Sequence, residues 1–262
     1  MAAERPRVRL RQAVLAATDL EPVAEALRSA LGLGEPFRDP GVGLFGLQNT
    51  VFALGDCFLE IVSPIEPGTA AGRYLERHGG DGGYMVICQA DSHAAQLECR
   101  DRAATMKIRI AWEHESGSYH VMQLHPADTG GSFFEIDWDA KGEPEGSWEP
   151  AGGSDWPKAK RTEVVRAYSA VELQSPDPAG LAEQWSKIAG STVRKDGRGR
   201  LEMPLDNASV RFVAATDGRG EGLSGIDIVV ADRARLNSAA EKRGLTISGD
   251  QLTICGTRFY LV

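Results

Sequence analysis

Two segments of this chain set a carboxylate among apolar residues: Phe58-Leu59-Glu60-Ile61-Val62 and Phe133-Phe134-Glu135-Ile136-Asp137. A carboxylate so flanked is costly to bury without a partner. Either strand alternation turns it outward into water, or it faces a polar cavity. For one such segment the outward reading is the simpler. The same feature at the same point of two copies of a repeated pattern favours a shared cavity. Gln12 stands at the start of the first strand of the first copy. Gln12, Glu60 and Glu135 are expected to converge in a cleft between paired copies, where oxygen donors suit Mg²⁺, Mn²⁺ or another divalent ion. Glu60 or Glu135, if not engaged by metal, would serve as a general base.

The repeat positions these residues. An apolar strand, an Asp cap, a helix, a Gly stop and several strands recur four times. In the first copy Val14 to Ala17 lead to Asp19, and Val23, Ala26, Leu27, Ala30 and Leu31 fall at helical spacing. Strands at Thr50–Leu54 and Phe58–Val62 close it. The second copy runs through strand Tyr84–Gln89, the caps Asp91 and Ser92, a helix to about Arg102, and strands at Ile108–Trp112, Tyr119–Leu124 and Phe133–Trp138. The third has Asp177 and Pro178 at a helix start, with Leu181, Trp185 and Ile188 facing inward. The fourth runs from Ile226 through Asp232 and Gly244 to the last strand. One such module cannot cover its own curved sheet, so modules must pair. The expectation is an α+β protein of four βαβββ modules forming two half-barrel domains. Residues 1–138 make the first pair, 139–163 a linker and 164–262 the second. The last two copies have shorter loops, which makes the first pair the candidate active cleft and the second a structural one. Within the second pair, Arg211 is expected to meet the carboxylates of Glu172 and Asp227.

The linker is rich in Gly, Pro and charge. Trp138, Trp148 and Trp156 punctuate it and read as anchors onto the domains. A formal charge of −8 argues against nucleic acid and anionic membranes as partners. No run is long and apolar enough to span a membrane. The four cysteines form no CxxC pair and read as reduced, buried thiols, consistent with a cytoplasmic protein.

The run FALGDCFLEIVSP, then GGYMVICQAD, then YHVMQLHPADTGGSFFEID resembles the vicinal oxygen chelate superfamily. Within it, residues 8 to 139 are most similar to methylmalonyl-CoA epimerase and glyoxalase I. The epimerases carry a similar run of His-Pro, a polar turn, Gly-Gly and a strand with a Glu, here His125-Pro126, Gly130-Gly131 and Glu135. The resemblance implies a glyoxalase-like fold with a metal held by four residues between paired modules. Mapped here, the first, second and fourth ligands fall on Gln12, Glu60 and Glu135. The third, a His in the family, falls on Met85, or on Tyr84 if the register slips by one. A thioether is a poor ligand for a hard ion, so any Mg, Mn, Ni or Zn ion is expected to be weakly held, or the site to carry none. His120 is a possible substitute, although a core or surface His is the simpler reading. Tyr84, Met85 and His120 are the expected pocket residues.

Four-module chains also resemble the extradiol dioxygenases. Their iron-ligand positions here read Ala170, Gly225 or Ile226, and Tyr260 or Leu261, which excludes that activity. Two readings stay open. One is an isomerase, epimerase or lyase acting on a small oxygenated metabolite. The other is a metal-free small-molecule-binding or drug-sequestering protein. Either is a monomer with internal pseudo-symmetry or a homodimer.

Overall fold

The computed structural model describes residues 7–143 and 152–262. The first module is β1 (Val8–Ala16), α1 (Leu20–Leu31), β2 (Leu47–Leu54) and β3 (Cys57–Pro64). A helix that the repeat does not predict, α2 (Ala70–His78), leads to the second. That module is β4 (Gly82–Ala90), α3 (His93–Thr105), β5 (Ile110–Ser116), β6 (Tyr119–Leu124) and β7 (Phe133–Asp139). A short helix, α4 (Trp156–Ala159), precedes the third module: β8 (Val165–Ser175), α5 (Pro178–Ala189), β9 (Arg194–Lys195), β10 (Leu201–Pro204) and β11 (Ser209–Ala214). The fourth is β12 (Gly222–Val230), α6 (Arg233–Lys242), β13 (Ile247–Ser248), β14 (Gln251–Ile254) and β15 (Thr257–Leu261).

Each module repeats one topology. Its first and last strands pair in parallel across the helical crossover: β1 with β3, β4 with β7, β8 with β11 and β12 with β15. The strands between them run antiparallel. The hydrogen-bonded order is β2-β3-β1-β4-β7-β6-β5 in a seven-stranded sheet and β13-β14-β15-β12-β8-β11-β10-β9 in an eight-stranded one. This is the glyoxalase-like α+β architecture that the repeat implies.

Packing groups the chain into two compact units. One holds Met1–Arg11, Met85–Gly146 and Ala170–Leu223; the other holds Gln12–Tyr84, Ser147–Ser169 and Ser224–Val262. In the first, the ring of Phe134 stacks on Trp185 of α5 at 3.9 Å, and the indole Nε1 donates to the Thr129 carbonyl at 3.1 Å. Trp185 is fully buried, so its removal would cost about 3–5 kcal/mol. Leu181 and Ile188 are buried beside it, as their spacing requires.

Several local expectations shift. The buried stripe of α1 is Leu20, Ala24, Leu27, Ala30 and Leu31, so Val23 and Ala26 lie at its margin. Asp19 precedes α1 without a side-chain capping bond, whereas Ser92 caps α3 by accepting from Ala95 N at 3.2 Å. The strand expected at Ile108–Trp112 begins and ends later, at Ile110 and Ser116, with a register shift between Ile110 and Trp112. Trp156 is buried edge-on against Phe58, at 5.2 Å between ring centroids, an anchor in the second unit. Gly152 has φ +77° and touches the same ring so closely that a Cβ would lie 2.4 Å from it, which only glycine allows. Trp148 lies outside the described residues. No helix among the described residues is long and apolar enough to cross a membrane.

Candidate functional site

β7 alternates strictly. Phe134, Ile136 and Trp138 turn towards α3, and Phe133, Glu135, Asp137 and Asp139 turn to the opposite face. Strand pairing brings Met85, Ile87 and Gln89 of β4 to that opposite face, opposite Phe133, Glu135 and Asp137. Gln123 of β6 lies across from Glu135, and Tyr119 across from Asp139. The result is a buried acidic row: Glu135, Asp137 and Asp139 are each 5% exposed or less.

The three acids are held differently. Asp139 is fully engaged, accepting from Gln89 Nε2 at 2.7 Å and from the backbone N–H groups of Lys141 and Gly142 at 3.0 Å. Asp137 accepts from the Tyr119 hydroxyl at 3.0 Å and from Met122 N at 3.3 Å. Burial pushes the Asp137 carboxyl well above the usual carboxylate range, and the charge of Glu135 pushes it further. Burial also raises Glu135, opposed by hydrogen bonds with Asp137 and Gln123. Two carboxyls this close in a dry site share a proton. Burial and the adjoining charge of Glu135 favour the proton on Asp137. Burial and the neighbouring carboxylates keep the Tyr119 hydroxyl protonated, so it remains a donor. Glu135 Oε2 is then left buried with no hydrogen-bond partner among the described residues, and Gln89 Oε1 is in the same condition.

In the second unit, Glu60 forms a different constellation. Its Oε2 accepts from Gln12 Nε2 at 2.5 Å and its Oε1 from Asn49 Nδ2 at 2.6 Å. Asn49 Oδ1 in turn accepts from Asp39 N at 2.9 Å, tying the carboxylate to the Gly-rich turn Pro40–Phe45. Thus Gln12 and Glu60 meet directly, and Glu135 belongs to the other unit. Tyr84 is buried edge-on to Tyr74, at 5.1 Å. Met85 is buried on the Glu135 face. His120 pairs with Trp138 across β6 and β7 and therefore lies on the α3 face, opposite Glu135.

Asp137, Asn49, Gln89 and Tyr119 were not among the expected site residues. Asp137 was legible, because it follows Glu135 by two and must share its face. Asn49 was not, because its partner is set by the pairing of β2 with β3.

On the α3 face, His120 Nδ1 lies 3.4 Å from His93 Nε2, and His120 Nε2 lies 3.1 Å from Glu113 Oε1. Ligand atoms of His93, Glu115 and His120 all fall within 4.8 Å of one another, a grouping able to hold a metal ion.

The family model for the glyoxalase-like domain matches residues 12–189, more than half of the chain. The chain belongs to the glyoxalase-like domain family. Among solved structures, a variant of 4-hydroxymandelate synthase from Streptomyces coelicolor is similar with a TM-score of 0.69 at 16% identity, over 92% of this chain and 76% of that one. A hypothetical protein from Staphylococcus aureus is similar with a TM-score of 0.60 at 10% identity, over 97% and 99%. Methylmalonyl-CoA epimerase from Mycobacterium tuberculosis matches 53% of this chain and 93% of its own at 19% identity, with a TM-score of 0.44. No curated protein sequence matches. The Gly130-Gly131 pair of the epimerase-like run has φ +73° and +79°, a left-handed turn that glycine enters without strain, and it starts the strand that carries Glu135.

Proposed function

We propose that this glyoxalase-like protein is a proton-transfer enzyme acting on a small oxygenated metabolite, by isomerisation, epimerisation or a lyase step, with Glu135 as catalytic base. The observation that supports this is Glu135 Oε2: a buried carboxylate oxygen without a donor, on a carboxyl whose proton affinity burial has raised. Such a group takes a proton readily, because protonation removes a charge from a dry site. A hydrogen bond with Asp137 holds Glu135 in place. Tyr119 and Gln123 fix the pair. A carbon acid bound against Met85, Ile87 and Phe133 would present its proton to Oε2 in a water-poor setting.

The oxygens of Glu135 and Gln89 that lack a partner among the described residues are hard donors and would suit a hard divalent ion, although the place of the family's imidazole falls on Met85, or on Tyr84 in the register one residue away. A divalent ion bound there would polarise a substrate carbonyl. In the other unit, Glu60 is the second candidate catalytic carboxylate, aimed by the amides of Gln12 and Asn49.

The test is hydrogen–deuterium exchange at carbon, followed by NMR in D₂O across 2-oxo acids, hydroxyketones and acyl thioesters, with and without Mg²⁺. At least one class should exchange, and Glu135→Gln should slow it by about 10²–10⁴-fold. The metal-free binding reading is favoured by the apolar neighbours of Met85. It wins if a compound binds and no exchange occurs.

A further inference from the structure

We propose that His93, His120 and Glu115 form a second, separate site for a first-row transition-metal dication, on the α3 face of the sheet and therefore opposite Glu135. Three elements build it: His93 begins α3, Glu115 is the last residue but one of β5 and His120 the second of β6. Cross-strand pairing sets Glu115 directly beside His120.

The hydrogen bonding assigns the tautomer. The guanidinium of Arg100 donates to both oxygens of Glu113, at 2.7 and 3.2 Å, which marks Glu113 as a carboxylate. Glu113 is therefore an acceptor towards His120 Nε2, which must carry the proton. The lone pair of His120 then sits on Nδ1, the atom that faces His93 Nε2 at 3.4 Å. Two nitrogens on one tetrahedral ion, each at about 2.05 Å, lie about 3.3 Å apart. The separation found is already that of a ligand pair. His93 Nε2 also lies 4.0 Å from Glu115 Oε1, which a rotation of the exposed Glu115 side chain would shorten.

Two further features match a metal centre. A metal-bound His commonly donates its other N–H to a carboxylate, and Glu113 fills that role for His120. The ring of His93 stacks on Trp138 at 4.6 Å and 19°, which fixes its plane, and it stands at 76° to the His120 ring. Two imidazoles and one carboxylate suit Zn²⁺, Co²⁺ or Ni²⁺ better than Mg²⁺. The start of a helix is unfavourable for a cation. The carboxylates of Glu113 and Glu115 oppose that effect. The competing arrangement is a plain hydrogen bond from His93 Nε2 to His120 Nδ1, with no ion.

Titration of tag-free protein with Co²⁺ distinguishes the two. One equivalent should bind with visible ligand-field absorption, be displaced by Zn²⁺ and raise the melting temperature. His93→Ala and Glu115→Ala alter partly exposed side chains, and melting curves would verify their folding. Each should weaken Co²⁺ at least tenfold. Glu113→Gln should weaken it about 10–100-fold. Glu135→Gln should leave Co²⁺ binding unchanged while slowing exchange at carbon by about 10²–10⁴-fold, so the two proposals fail separately. Absence of stoichiometric Co²⁺ binding, wild-type affinity in His93→Ala, or loss of binding in Glu135→Gln would each overturn the site.

Discussion

Glu135 and Glu172 are both buried carboxylates of the same unit, and their surroundings are opposites. Glu172 Oε2 accepts from Arg211 Nε and Nη2, each at 2.8 Å, with both side chains 4% exposed or less. Glu135 meets another carboxyl instead, and burial raises the proton affinity of both. A guanidinium cannot be deprotonated here and leaves its partner inert. A proton can leave or arrive. Repeated modules thus bury acids in two ways, one structural and one able to react. Glu60 accepts from the amides of Gln12 and Asn49.

The contrast predicts its largest effect at Arg211. Arg211→Met should destabilise the protein by about 3–5 kcal/mol in urea denaturation, because it strands a buried charge. Adding Glu172→Met should restore most of that loss. An unchanged midpoint in the single variant would remove the structural half of the comparison.

Next comes Asn49→Ala, which deprives Glu60 of one donor. A loss of about 1–3 kcal/mol is expected, readable as a lower denaturation midpoint.

The acid pair predicts a pH dependence of definite sign. Glu135 and Asp137 are raised in the folded state, so the native protein holds protons that the unfolded chain has released. Stability should therefore fall as pH rises from the ordinary carboxylate range towards the raised values. Asp137→Asn removes one titrating group and should flatten that decline. Denaturation midpoints across pH would show it, and an identical slope in the variant would mean the pair does not share a proton.

The smallest effect belongs at the surface. Asp128 is held down to about 2, chiefly by its hydrogen bond from Arg109. That pair contributes above the ordinary carboxylate range and loses its contribution as pH falls towards 2. Arg109→Ala should return Asp128 to a normal titration by NMR and leave stability nearly unchanged, because the pair is exposed.

The sequence alone determined the repeat and the four helices that carry it, because periodicity and Gly and Asp punctuation are local properties of the chain; the likeness of its motifs to a glyoxalase-like family was legible there too. Of the cluster expected around Arg211, Glu172 meets it, since alternation and the repeat place them at matching positions, whereas Asp227 belongs to the other unit. The buried face of α1 rotated away from Val23 because the packing surface, not the spacing of apolar residues alone, decides which residues are covered. Strand register decided the rest. Pairing of β4, β6 and β7 placed Asp137, Gln123 and Tyr119 around Glu135, and pairing of β2 with β3 brought Asn49 within reach of Glu60. The assignment of His120 to the α3 face, beside His93 and away from Met85, also follows from pairing between segments distant in sequence. Whether a buried acid finds an arginine, an amide or a second acid depends on residues that no local pattern connects, and only the folded chain brings them within hydrogen-bonding distance.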